Sequence, residues 1–159
     1  MSLGGNSNCR SSNDPFLLLK SVPSLIHKDK WSGLHVHDVA AKIRNALIIN
    51  HIGPGGKVAT LSPLYAIEAN LPIYNELSTG PFLYRVGDLL TIEQRRHFVG
   101  SSPNSIGDLF AGDPPSAIVI GNDGQLDKPL VEYARNNNYR EIFVAGFRGN
   151  GKLYVRPLQ

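Results

Sequence analysis

With 159 residues, 42% of them apolar and 18% charged, the sequence fits one globular domain with a real core and leaves little room for a second. Its formal charge of +3 comes from Lys and Arg scattered along the chain rather than gathered into a run, which argues against a nucleic-acid partner. The single cysteine, Cys9, excludes an internal disulfide, and no apolar run approaches the roughly 18 to 20 residues that span a bilayer.

The opening "MSLGGNSNCRSSND" (residues 1–14) is Gly, Ser and Asn rich and reads as a disordered lead-in or cloning remnant, with no signal-peptide pattern expected; residues 15–159 read as one α/β domain, soluble as given. "PFLLLK" is a short strand or the tail of a preceding segment, and "SVPSLIHKDKWSG" is a connection broken by Pro23 and Gly33. "HVHDVAAKIRNALIIN" sets Val36, Val39, Ala40, Ile43 and Leu47 at helical spacing with Lys42, Arg44 and Asn45 opposite, an amphipathic helix closed by "HIGPGG". "KVATL" has a strand's composition. "SPLYAIEAN" then opens a helix with Ser62 as N-cap and Pro63 at the first helical position, and "LPIY" is a second short strand.

"NELSTGPFLYR" (Asn75 to Arg85) mixes turn formers with large side chains of no evident period and reads as a loop after a strand. "TIEQRRHF" starts on a cap residue and gives a helical turn or two, and "SPNSIGDLFAGDPP" gives another short helix stopped at Gly112 to Pro115. "SAIVIG" is a continuous apolar run of the kind buried on both faces of a sheet. After the loop "NDGQLD" comes the helix "KPLVEYARNNN", with Leu130, Tyr133 and Ala134 on one face. "YREIFVAG" is a further strand, and "FRGNGKLYV" is a hairpin feeding a final antiparallel strand, Lys152 to Arg156.

This alternation predicts an α/β three-layer sandwich, with a mostly parallel sheet of about five strands, "SAIVIG" and "KVATL" central and the C-terminal β-hairpin at an edge. The expected core is Val58, Leu61, Ile67, Ile73, Ile118, Val119, Ile120, Tyr133, Ile142 and Val144.

The chemistry is sparser. "GPGG" precedes a strand, whereas a phosphate-cradling loop follows one, and no strand-to-helix junction carries a dinucleotide fingerprint; no cofactor is expected. The histidines are His27, His35, His37, His51 and His97. "HVH" supplies two metal ligands only if extended, and no Cys or acidic cluster completes a set, so no metal is expected. Asp113, Asp123 and Asp127 flank elements where α/β folds place their sites, each either a catalytic acid or a capping group. Ser62 before Pro63 reads as a cap rather than an activated hydroxyl, and no catalytic residue is assigned.

"KVATLSPLYAIEANLPIYNELSTGPFLYR" (Lys57 to Arg85), with "DPPSAIVIG" and "LVEYARNNNYR", resembles the C-terminal extracytoplasmic domain of bacterial polytopic membrane glycosyltransferases of the dolichyl-phosphate-mannose–protein mannosyltransferase-like group, over most of Gly33 to Tyr139. The resemblance implies that catalysis and donor binding belong to a membrane-embedded half of the same polypeptide. It implies a non-catalytic soluble accessory domain on the periplasmic side of the inner membrane, with that half as partner and a lipid-linked sugar or acceptor nearby. The polar opening then reads as a truncation after a last transmembrane helix.

The candidate binding residues are Arg85, Tyr84, Tyr65 and Asp123, expected to meet at one end of a parallel sheet and suited to a sugar ring, a phosphate or the membrane half. The competing reading has Phe82 and Tyr84 packed on the sheet while Arg85 pairs with Glu76 or Asp88. The competing function is a free-standing sugar- or phosphate-binding or hydrolytic α/β protein using Arg85 and Asp123.

Overall fold

Apolar residues recurring at helical spacing after Gly33 produce the longest element, α1 (Ser32–Ile49). The computed structural model describes residues 32–53, 55–121, 123–147 and 151–157. In α1 the buried face is Val39, Ala40, Ile43 and Leu47, and each of the larger three contributes about 1.5 to 3 kcal/mol by leaving water. The helix ends where His51 turns left-handed (φ 60°) and the Ile52 N–H donates back to Leu47 O at 3.0 Å.

Next along the chain come β1 (Val58–Thr60), α2 (Pro63–Glu68), α3 (Pro81–Val86), α4 (Ile92–His97) and α5 (Ile106–Phe110). They are followed by β2 (Ala117–Ile120), α6 (Lys128–Asn136), β3 (Arg140–Ile142) and β4 (Lys152–Val155). Short 3-10 turns occupy Asn75–Leu77, Gly87–Leu89, Pro103–Ser105 and Gly124–Asp127.

The sheet corrects the expected one. Among the described residues it has four strands in the order β1-β2-β4-β3, not about five mostly parallel ones. Only β1 and β2 pair in parallel (Thr60 opposite Val119); β4 is antiparallel to both β2 (Tyr154 opposite Ile118) and β3 (Leu153 opposite Ile142). β4 therefore lies inside the sheet rather than at an edge, because Leu153, Tyr154 and Val155 are all buried and its return path inserts it between β2 and β3. β1 takes the outer position, and "LPIY" forms no strand, contributing one parallel bridge from Ile73 to Val58.

Side chains alternate across the sheet into two clusters. Ala59, Ile118, Ile120 and Tyr154 face Tyr84, Phe110, Leu130 and Ala134 on one side; Val58, Val119, Leu153 and Val155 face Val39, Ile43, Leu47 and Ala66 on the other. Of the expected core, Ile67 is instead exposed on α2, and Ile73, Tyr133 and Ile142 are half-buried.

"NELSTGPFLYR" is not a loop. Gly80 takes φ 62° as the N-cap residue, Pro81 begins α3, and the segment is a 3-10 turn followed by a helix. At α4 the Thr91 hydroxyl accepts the Gln94 N–H while the Gln94 side chain accepts the Thr91 N–H, a reciprocal cap. The expected lead-in at residues 1–14, the segment from "PFLLLK" to Trp31, and residues 148–150 of the hairpin turn lie outside the described residues. Among those described, no helix is long and apolar enough to cross a membrane.

Ile118 is inaccessible and contacts the cluster shared by α5 and α6. Ile118→Ala is expected to lower unfolding free energy by about 2 to 5 kcal/mol in a urea titration; a loss within error would show that this strand is not packed as described.

Candidate functional site

The parallel pair β1 and β2 sends both chains out at the same end of the sheet, and three segments meet there. Past β1, the Ser62 N–H donates to Thr60 Oγ1 at 2.9 Å, which turns the chain into α2. The Ser62 hydroxyl does not cap that helix; it faces Asp123 Oδ2 at 3.5 Å, a long contact. Past β2, Gly121 leaves no room for a side chain: a Cβ there would lie 2.0 Å from Ser62 Oγ. The start of α3 presses in from the side, since a Cβ on Gly80 would lie 2.8 Å from Leu61 O.

At the centre is Asp127, 3% exposed. It stands at the N-cap position of α6 without capping it; its Oδ2 accepts the Asp123 N–H at 3.0 Å and its Oδ1 has no hydrogen-bond partner. Burial pushes this carboxyl up to about 6; the Asp123 N–H pulls the other way, and the Asp123 carboxylate adds to the rise. The Tyr84 hydroxyl, on a side chain 1% exposed, is also without a partner. Burial, followed by the nearby charges of Asp88 and Asp127, holds its proton far more tightly than usual.

Asp127 also borders a cleft of about 610 Å³ between α6 and the beginning of β4. Its lining adds the acceptor Glu132, the donors Lys128, Arg135 and Lys152, and the ring of Tyr154. Lys152 is committed to Glu141 by an ion pair at 2.8 Å, which holds Glu141 below the usual carboxylate range. The Tyr154 phenol lies beside the same carboxylate without a hydrogen bond of good geometry, and burial raises it. Lys128 and Arg135 are exposed and enter no ion pair among the described residues.

The four residues singled out from sequence separate. Asp123 belongs to the polar end of the sheet. Tyr84 is there too, but turned inward as part of the core. Arg85 points to solvent on the outer side of α3 and pairs with neither Glu76 nor Asp88. Tyr65 packs edge-on against Phe147, ring centroids 5.4 Å apart, in the cluster on the opposite face of the sheet. Tyr65 and Tyr84 thus do not form one surface, because the sheet lies between their clusters. Packing describes Tyr84 and fails for Phe82, which is 83% exposed.

Neither Asp123 nor Asp127 caps through its side chain, and Asp113 pairs with Lys57 at 2.7 Å. The sequence reading missed Arg135 and Tyr154 as neighbours of this end, and took Ser62 for a helix cap, whereas its hydroxyl faces Asp123. The signal available was two aspartates four residues apart immediately after a fully apolar strand. His37 joins Glu68 at 2.7 Å, tying α1 to α2, and no group of metal-ligating side chains occurs among the described residues. No family model, curated protein or solved structure matches the chain.

A carboxyl that holds its proton more tightly folded than at its ordinary 3.8 contributes stability below about pH 4 that is lost as pH rises through 6. Urea titrations should therefore show ~1 to 3 kcal/mol less stability from this group at pH 7 than at pH 4. Asp127→Asn should remove that slope, and an identical slope in the variant would assign it elsewhere. Tyr84→Phe deletes an unpartnered buried hydroxyl and is expected to leave stability unchanged or raise it by about 1 kcal/mol; a clear loss would mean that the hydroxyl is bonded in solution.

Proposed function

We propose that the chain is a non-catalytic accessory domain of a membrane-embedded glycosyltransferase, on the periplasmic side of the bacterial inner membrane, and that the cleft beside Asp127 holds a sugar-bearing ligand for that enzyme. The reading rests on the resemblance carried by Lys57 to Arg85 and on one observation, the buried Asp127 carboxyl with a free Oδ1 bordering a cleft. Carboxyl oxygens accept sugar hydroxyls, Lys128 and Arg135 supply cations for a phosphate, and the Tyr154 ring offers an apolar face. An unpaired buried acceptor costs about 1 to 3 kcal/mol, a cost that a ligand donor reaching it would offset.

A hydrolytic reading draws on the Ser62 hydroxyl facing Asp123 at 3.5 Å beside a proton-holding Asp127. It is the weaker one. The contact is long, and among the described residues no His or Lys reaches the Ser62 hydroxyl to take its proton.

Titration of this chain with a hexose 1-phosphate, followed by amide NMR, is expected to move signals around Gly124 to Arg135, with affinity falling at least about ten-fold in Asp127→Asn and Arg135→Ala. Undisturbed spectra would remove the cleft from the proposal. Release of phosphate or sugar by the chain alone, lost in Ser62→Ala, would favour the hydrolytic reading and end the non-catalytic one.

A further inference from the structure

Asp127 stands at the N-cap position of α6 and is kept from capping it by its own backbone and by its neighbour. Its φ of −75° and ψ of −16° are helical rather than extended, and Pro129, in the first turn, has no N–H to give. One oxygen, Oδ2, is used by the Asp123 N–H; the other, Oδ1, is enclosed without a donor on a side chain 3% exposed. The cleft wall beside it is backbone. Gly121 and Gly124 line the cleft with Asp127, and a Cβ on Gly124 would meet nothing within 4 Å, so open space reaches this turn.

The charges facing this carboxyl come from each element packed around it. Burial opposes its ionisation, the Asp123 N–H favours it, and the Asp123 carboxylate opposes it again. From α3 comes the Tyr84 phenol, neutral and itself without a partner, with Asp88 beyond it. Along α6, Lys128, Glu132 and Arg135 are exposed on the rim of the cleft, where water screens them. Across the cleft on β4, Lys152 is held by Glu141 at 2.8 Å and the Tyr154 phenol keeps its proton. Among the described residues no cation pairs with Asp127, and none of the described histidines lines the cleft.

A carboxyl so placed has two states with different chemistry. Ionised, its Oδ1 is a charged acceptor buried without a donor, and such an atom is costly to leave unpaired. A ligand hydroxyl donating to it makes the charge-assisted bond that the protein does not supply. A donor at Oδ1 thus favours the ionised form, and by linkage ionisation favours the donor.

We propose that the cleft is a proton-linked site, in which a ligand hydroxyl donating to Asp127 Oδ1 takes the place of this carboxyl's own proton, so that ligand is held at neutral pH and released as the surroundings turn acid. The inference rests on the reading of the cleft as the place of a sugar-bearing ligand, and adds the atom that senses the ligand and the condition that controls occupancy. With the folded carboxyl at about 6, about nine in ten molecules are ionised at pH 7 and about one in ten at pH 5. Apparent affinity scales with the competent fraction. A ligand anion seated against Asp127, instead of against Lys128 and Arg135, would give the opposite slope, because a negative charge there keeps the proton on.

The test is calorimetric titration of the 159-residue chain with the methyl ester of a hexose 1-phosphate, a diester that carries one charge throughout this range, at pH 5, 6 and 7. Affinity is expected to be about ten-fold lower at pH 5 than at pH 7, with protons released on binding at pH 6, seen as a heat that changes with the buffer's ionisation enthalpy. Asp127→Asn should bind weakly and equally at all three values. Asp123→Asn keeps the backbone donor but removes the like charge, and should move the midpoint to lower pH without flattening the profile. In the unaltered chain, the carboxyl carbon of Asp127 followed by NMR should titrate near pH 6 when free and at lower pH with ligand bound, a readout that does not depend on how any variant folds.

Equal affinity at the three values overturns the proton linkage and leaves the sugar reading standing, whereas no binding at any of them removes both. Tighter binding at pH 5 overturns the proposal in favour of an anion seated against the protonated carboxyl, and a slope retained in Asp127→Asn overturns it by assigning the proton to another group.

Discussion

Strand β2 is hydrogen-bonded along both edges and packed on both faces. Its four residues, Ala117 to Ile120, are all buried, with β1 parallel on one side and β4 antiparallel on the other. Ala117 and Val119 meet the α1–α2 layer, and Ile118 and Ile120 meet α5 and α6. Because the side-chain period of a strand is two, a slip of one residue would exchange the two layers' contacts throughout, so the register of β2 sets the position of every helix around it. It also sets where the chain emerges, and hence which polar groups are pressed together beyond Ile120.

That exit is crowded. Gly121 beside Ser62 and Gly80 beside Leu61 O let three chain segments approach more closely than any side chain would permit. Backbone groups leaving a sheet need partners, and here some come from side chains: Thr60 serves Ser62, and Asp127 serves Asp123. The cost is carried by Asp127, whose second oxygen is buried without a donor, and by the Tyr84 hydroxyl nearby. The same closeness that completes the core therefore raises the Asp127 carboxyl toward neutrality and gives the adjoining cleft its chemical character.

Helix α3 shows how one short segment serves two surroundings. Gly80, Tyr84 and Gly87 are pressed into the body, whereas Phe82, Val86 and Leu89 stand outward on the other side. The outward side is itself rich in apolar residues, broken only by Arg85 and Asp88, so polarity marks poorly which side meets solvent. This is why "NELSTGPFLYR" looked aperiodic as sequence, and why Ser78, Thr79, Gly80 and Pro81 read as a loop when Gly80 and Pro81 in fact start a helix.

Several features needed only the chain's own order of residues. The spacing of Val39, Ile43 and Leu47 suffices for an amphipathic helix, the run Ala117 to Ile120 for a doubly buried strand, and Thr91 with Gln94 for a helix start. Each is a local matter, settled within one or two turns or along one strand. The position of β4 between β2 and β3, the exposure of Ile67, the separation of Tyr65 from Tyr84 and the burial of Asp127 depend on which distant segments come together. A hairpin pattern is the same whether its second strand lies at an edge or inside the sheet, and an aspartate before a helix is the same whether water or the protein interior surrounds it. Periodicity states which side of an element is apolar; only tertiary packing decides what that side meets, because burial and charge environment are properties of neighbours brought together across the sequence.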